Sequence, residues 1–315
     1  MRTLLALRRR AFGVPSAEAV FRSPGFVPQA WDRFSSVARV LVDGYHAALE
    51  EPGLDPLVQR LDAAPANLRG IAYEGAGMGL AALDILTRTG FHRVRTLGEG
   101  PARNHLYPLY IGVGMALARM RRPPEPALAR LDPIIGWVIA DGIGFHETFF
   151  RRTAAPPHVM MPTHLSPPMQ RIFHHGVGRA LWFSLGATPA LVEMAIESFP
   201  EERHADLWAG VGLAATYVGG AGRDQLSDLR TRSGPHASEL ATSSVIAAWG
   251  RHLGGDLGAN AEVACAEFSA RSARQAAQLG TDTKQSLPVI TVTPKLLLWR
   301  DHIAHQLTQP VPAPA

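Results

Sequence analysis

Three titratable residues hold the same place before a recurring glycine pair. Glu74 precedes Gly75-Ala76-Gly77, Asp141 precedes Gly142-Ile143-Gly144, and His175 precedes Gly176-Val177-Gly178. A carboxylate beside an imidazole in an apolar cavity is a general acid–base pair whose pKa values are set by burial and neighbours. His146 and Glu147 lie one turn beyond Asp141, and Arg179 lies four residues after His175. The candidate catalytic set is therefore Asp141, His175, Glu74, His146, Glu147 and Arg179. The competing reading is packing, with Arg179 and Asp141 as a buried ion pair between helices. Trp137, Phe145, Phe149, Phe173, Trp182, Trp208 and Tyr217 occupy the same segments. They are either core or the wall of a tunnel for a long apolar chain, able to stabilise developing cations.

Other chemistries find less support. His146–Glu147 and His174–His175 are adjacent pairs, which a helix turns about 100° apart, and the HExxH spacing of a helical zinc site is absent. No metal is expected. Ser184 has no nucleophile elbow and Cys265 no evident partner. GAGMGL and GVGMAL resemble a dinucleotide fingerprint, but neither follows the β-branched strand that such a turn needs. No cofactor is expected.

The glycine pairs also define the elements that must position these groups. The same core recurs in IGVGMALA from Ile111 and AGVGLAAT from Ala209, so the first glycines are Gly75, Gly112, Gly142, Gly176 and Gly210, in steps of 37, 30, 34 and 34. Recurrence in that range marks stacked helical units. A helix-interior glycine costs roughly 1 kcal/mol against alanine, and close approach of two backbones is the compensating gain. The predicted fold is all-α, with helical-hairpin repeats of period about 34 forming a solenoid or closed helical array. The apolar spacing predicts an amphipathic helix over Ala30–Leu49. Core helices follow over Leu68–Thr89, Leu106–Arg121 and Asp132–Arg152, the last with Asp132 as N-cap and Pro133 behind it. A shorter helix is expected from Thr188 to Phe199, and others over 224–230, 236–253 and 259–279. Met1–Gly25 reads as an arm and Val94–Asn104 as a loop. SLPVITVTP is the one strand-like run, and one run makes no sheet. The expected organisation is an N-terminal arm and helices over 1–68, a repeat domain over 69–280 with a proline-rich belt at 153–168, and an extension over 281–315 ending in a disordered tail.

Composition narrows the function classes. With 315 residues and 46% hydrophobic content, a sizeable core is assured. No apolar run approaches a membrane span, and Arg8, Arg9 and Arg10 interrupt the start too early for a signal peptide. One cysteine excludes an internal disulfide. A cytoplasmic protein without an integral membrane segment is expected. The net charge of +4 comes almost wholly from arginines placed at segment ends, where helix dipoles attract cations, so no nucleic-acid partner is expected.

AYEGAGMGLAALD, DGIGFHETFF, FHHGVGRALWF and DLWAGVGLAATYVGG, with LRRRAFG, AVFRSPGF and GYHAALE before them, resemble the UnbL-like family encoded in bacterial enediyne biosynthesis clusters. The resemblance runs from about Leu5 to Ala248. It implies a place in polyene or enediyne natural-product biosynthesis, beside an iterative polyketide synthase, and no defined reaction. Together these features predict a protein acting on a hydrophobic polyene-, enediyne- or isoprenoid-type intermediate, by cofactor-independent isomerisation or terpene-cyclase-like cyclisation. Asp141 or Glu74 is the expected acid, with His146 or His175 as its partner. The alternative is a non-catalytic scaffold or carrier that binds a polyketide synthase or another pathway protein.

Overall fold

A computed structural model describes residues 13–309 apart from 52, 152–158 and 160. The first residues of the arm, part of the proline-rich belt (with Pro156, Pro157 and His158) and the final tail lie outside the described residues. All regular structure among the described residues is helical. The helices are α1 (Ala17–Phe21), α2 (Pro28–Glu50), α3 (Leu54–Asp62), α4 (Arg69–Thr87), α5 (His92–Glu99), α6 (Leu106–Arg119), α7 (Glu125–Leu128) and α8 (Ile139–Phe149). They continue with α9 (Pro167–Ser184), α10 (Pro189–Glu197), α11 (His204–Tyr217), α12 (Arg223–Arg232), α13 (Ala237–Leu253), α14 (Gly258–Ser269), α15 (Ala273–Gln285) and α16 (Lys295–Leu307). No helix among them is long and apolar enough to cross a membrane.

The glycine pairs are helix crossings, and each follows one rule. The first glycine sits on the carbonyl just before the first-glycine position of the preceding long helix: Gly112 on Glu74, Gly142 on Ile111, Gly176 on Asp141, Gly210 on His175. The second sits on the carbonyl three residues before that position in the next one: Gly77 on Leu109, Gly114 on Ile139, Gly144 on Phe173, Gly178 on Leu207. A Cβ at any of these would stand 1.9 to 2.1 Å from the facing oxygen, which no real side chain tolerates. Glycine is therefore fixed by backbone contact across the helices, where Cα–H groups meet carbonyls.

The rule extends the repeat at both ends. Gly44 faces Ala72, three residues before Gly75, while Gly75 faces Leu41. Val42 thus holds the first-glycine position on α2. Gly212 packs on Leu240, three residues before Ser243, which holds that position on α13. Seven long helices form the series: α2, α4, α6, α8, α9, α11 and α13. Short helices such as α3, α5, α10 and α12 carry the chain between them.

The series folds back on itself. The Val27 amide donates to the Ser184 carbonyl at 3.0 Å, and Arg33 donates to the carbonyls of Ala187 and Gly220 at 3.1 and 3.0 Å. Phe34 and Phe183 pack edge to face at 4.8 Å, so the start of α2 closes on the ends of α9 and α11. The array is closed, and one apolar core runs from Phe21 to Ile303. The C-terminal extension joins it through Trp299, whose indole donates to the Gly280 carbonyl at 3.0 Å.

Local departures have physical causes. Val94–Asn104 is not simply loop. Residues His92–Glu99 form α5, a two-turn helix whose apolar stripe is only Val94 and Leu97, too short a pattern to stand out over a longer sequence window. Residues Ala17–Phe21 of the arm form α1, capped by the Ser16 hydroxyl. Asp132 does accept the Ile134 and Ile135 amides at 2.8 and 2.7 Å, but the chain then passes through a 3-10 turn and becomes α-helical only at Ile139. The strand-like SLPVITVTP is irregular, with Val289 and Ile290 87% and 90% exposed.

Candidate functional site

The crossing rule also sets which side chains face inward. Taking the first glycine as zero, positions −1, +3 and +7 lie four residues apart and form one stripe on a helix. On α8 that stripe is Asp141, Phe145 and Phe149; on α9 it is His175, Arg179 and Phe183; on α4 it holds Glu74 and Met78; on α2, Leu41 and Tyr45; on α11, Leu213 and Tyr217. Residues of these stripes, though not Asp141 or His175, line two interior spaces. The larger is an apolar cleft enclosing about 710 Å³, part of it open to solvent, walled by α1, α2, α4, α8 and α9. Its titratable wall residues are Tyr45, Glu74 and Arg179.

Arg179 is the centre of the polar cluster. Its guanidinium reaches Asp141 with Nη1 and Glu74 Oε1 with Nη2, the latter at 3.3 Å, and lies 5.0 Å above the Phe145 ring. The other Asp141 oxygen, Oδ2, stands 2.5 Å from His175 Nδ1. Asp141, Glu74, His175 and Arg179 are all at least 95% buried, so their charge states follow from one another. Burial alone would raise the Asp141 carboxyl, but Arg179 and His175 outweigh it and hold Asp141 ionised. Burial pushes His175 below its ordinary value despite Asp141, leaving a neutral imidazole that donates from Nδ1. Glu74 differs: burial raises its carboxyl to about 7, with Arg179 opposing and the Asp141 charge adding to the rise. The Asp141–Arg179 pair balances its own charge, and Glu74 is left as the group that carries a titrating proton near neutral pH.

The structure thus brings together Glu74, Asp141, His175 and Arg179 from three helices. It sets His146 and Glu147 apart. Both are buried, but five and six residues beyond Asp141 a helix points them away from the stripe. His146 Nδ1 lies 3.5 Å from Glu147 Oε1 without a hydrogen bond, and Arg151 holds Glu147 at 2.9 Å. His174 likewise turns away, its Nδ1 donating to the Gln170 carbonyl at 2.7 Å. Of the aromatic candidates, Phe145 and Phe149 line the cleft and Tyr217 lines a second space below it. Phe173, Trp182 and Trp208 are buried in the packing between helices; the Trp182 indole donates to the Gly219 carbonyl at 2.9 Å. Trp137 sits half-buried in the turn before α8. Tyr45, Met78 and Tyr107 also line these spaces, the first two at the +3 position after Val42 and Gly75.

No three His, Cys, Asp or Glu side chains among the described residues are grouped so as to hold a metal ion. A further charge cluster, buried at Asp206 and Arg300 and reaching the surface at Arg171 and Glu239, ties α16 to α9, α11 and α13 at 3.3 to 3.6 Å. It lines neither space. Comparison with curated proteins and with solved structures finds no match to this chain. A family model does match, over residues 3–307, and the chain belongs to that family, the protein of unknown function DUF1702.

Proposed function

We propose that this protein converts a hydrophobic polyene- or isoprenoid-type intermediate of natural-product biosynthesis, in the cytoplasm, by acid–base isomerisation or cyclisation. The observation that carries the reading is Glu74: a buried carboxyl, raised to about 7, on the wall of an otherwise apolar cleft. A carboxylic acid kept neutral by its site can give up a proton where water cannot compete. Of the two expected acids, Asp141 is held ionised, so the proton-carrying role falls to Glu74. Asp141 and His175 act through Arg179, fixing the guanidinium against Glu74, and His146 is no partner in this arrangement.

The step balances without an oxidant or reductant. Glu74 protonates one carbon of a substrate double bond, leaving a cation on the adjoining carbon. Loss of a proton from a neighbouring carbon back to the Glu74 carboxylate gives the isomer; attack by a second double bond before that loss gives a ring. Phe145, Phe149 and Phe183 line the cleft, and aromatic rings stabilise developing cations. The UnbL-like resemblance supports a polyene from an iterative polyketide synthase as the substrate class.

The test is purification from a host that makes such a polyene, followed by native mass spectrometry and lipid extraction. Conversion of a bound polyene by the wild type, lost in Glu74→Gln with the fold retained, supports the reading. Unchanged conversion in Glu74→Gln overturns it. A stable complex with a pathway protein and no bound small molecule would instead favour a scaffold, which the exposed Val289, Ile290 and Val292 could serve.

A further inference from the structure

Beneath the cleft lies a second, narrow space of about 300 Å³ counted together with its opening to solvent, walled by α4, α6, α9 and α11. Ile71, Glu74, Arg179 and Phe183 line both, so the two meet at the Glu74–Arg179 contact. Beyond that waist the chamber is walled by Ile111, Leu213, Ala214 and Val218, with the phenols of Tyr107 and Tyr217 as its other polar groups. Burial raises both phenols, Tyr217 to about 12, so each remains a protonated hydroxyl. The waist offers no spare positive charge, because both terminal nitrogens of Arg179 already face carboxylates.

We infer that the ligand is an elongated, uncharged chain that straddles the waist, its body in the cleft and its leading end in the chamber, with Leu213 and Val218 setting the length accepted beyond Glu74. This rests on the reading of the cleft as a binding site and adds the ligand's shape and charge. An anionic head, a diphosphate or a carboxylate, would meet Glu74 with no free cation to receive it, and burying an unpaired charge is strongly unfavourable. A neutral hydroxyl or carbonyl at the leading end is suited to the two phenols, which can donate to it.

The experiment is binding by calorimetry of octanol, dodecanol and hexadecanol, with the matching carboxylates and alkyl phosphates, to the full chain. The alcohols should bind roughly tenfold or more tightly than the anions of equal length. Val218→Phe, which fills the chamber, should move the preferred length down. Leu213→Ala, which enlarges it, should move it up, with melting curves confirming that both variants are folded. Anions binding as tightly as alcohols, or both variants shifting every length equally, would overturn the inference. Glu74→Gln keeps the chamber intact and should keep the length preference. Loss of turnover without length selection therefore refutes only the chamber, and length selection without loss of turnover refutes only the acid.

Discussion

Replacing Gly112 by alanine tests the close packing on which the array depends. A Cβ there would stand 1.9 Å from the Glu74 carbonyl oxygen and 2.7 Å from the Met78 amide nitrogen, both backbone atoms at the α4–α6 crossing. Real Cβ contacts essentially never fall below 3.0 Å, so the helices must part by at least 1.1 Å, the difference between 3.0 and 1.9. A gap of about 0.5–1 Å already forfeits a quarter to a half of each dispersion contact, and overpacked cores lose about 1–3 kcal/mol or somewhat more. Set against the helix-propensity gain of about 1 kcal/mol, that leaves a net loss of up to about 2 kcal/mol and a fall in Tm of up to roughly 8 °C. Gly250→Ala is the opposite case. Its Cβ would meet only Tyr217 Cε2 at 3.6 Å, an ordinary contact inside α13. Propensity then acts alone, and stability should rise by about 0.4–1 kcal/mol. Calorimetric melts of both variants decide the matter. If Gly112→Ala melts at or above the wild type, the glycine pairs are not packing devices.

Glu74→Gln should stabilise the fold at alkaline pH. The raised carboxyl means that the folded state binds this proton more tightly than the unfolded chain, so wild-type stability falls as pH rises from about 4.5 through about 7. The variant lacks that loss, and urea melts should show a difference of roughly 3 kcal/mol at pH 9 that shrinks below about 1 kcal/mol by pH 5 and vanishes near pH 4; a constant difference would contradict it. Asp141→Asn leaves Arg179 with Glu74 as its one anionic partner and should cost about 3–5 kcal/mol at neutral pH, read by the same melts, whereas a cost under about 1 kcal/mol would place the pair near the surface in energetic terms. Depressed His105, held at about 4 by burial, leaves the unfolded chain binding more protons between pH 6.5 and 4. His105→Phe should therefore lose less stability than the wild type over that window. Cys265 is fully buried, with its thiol pushed up to about 12, so a thiol reagent should label it only at the rate of unfolding.

Much of the array is legible in the sequence because its crossings depend on backbone contact, which only glycine permits, and Gly-x-Gly is visible as text. Where that requirement relaxes, the signal disappears. Val42 and Ser243 occupy first-glycine positions, and α2 and α13 were not read as members of the series. Glu74, Asp141 and His175 stand out because they share one register before the glycines. Arg179 reads equally as a site residue or a packing partner, and only the folding back of α9 towards α4 shows that it joins Asp141 to Glu74. His146 and Glu147 fail to join them because proximity along a helix is not proximity around it. Residues such as Ile71 and Tyr107 depend on how the helices cross and leave no trace in a single segment.

The most direct test of the site is the titration of Glu74 itself. Infrared difference spectra of the wild type against Glu74→Gln, recorded from pH 4 to 9, isolate the carbonyl stretch of that one protonated carboxyl. Half-loss of the band close to pH 7 is the result expected of a proton donor held in an apolar cleft. A band already gone by pH 5 would mean an ionised Glu74 locked to Arg179, and a polar cluster that only holds helices together.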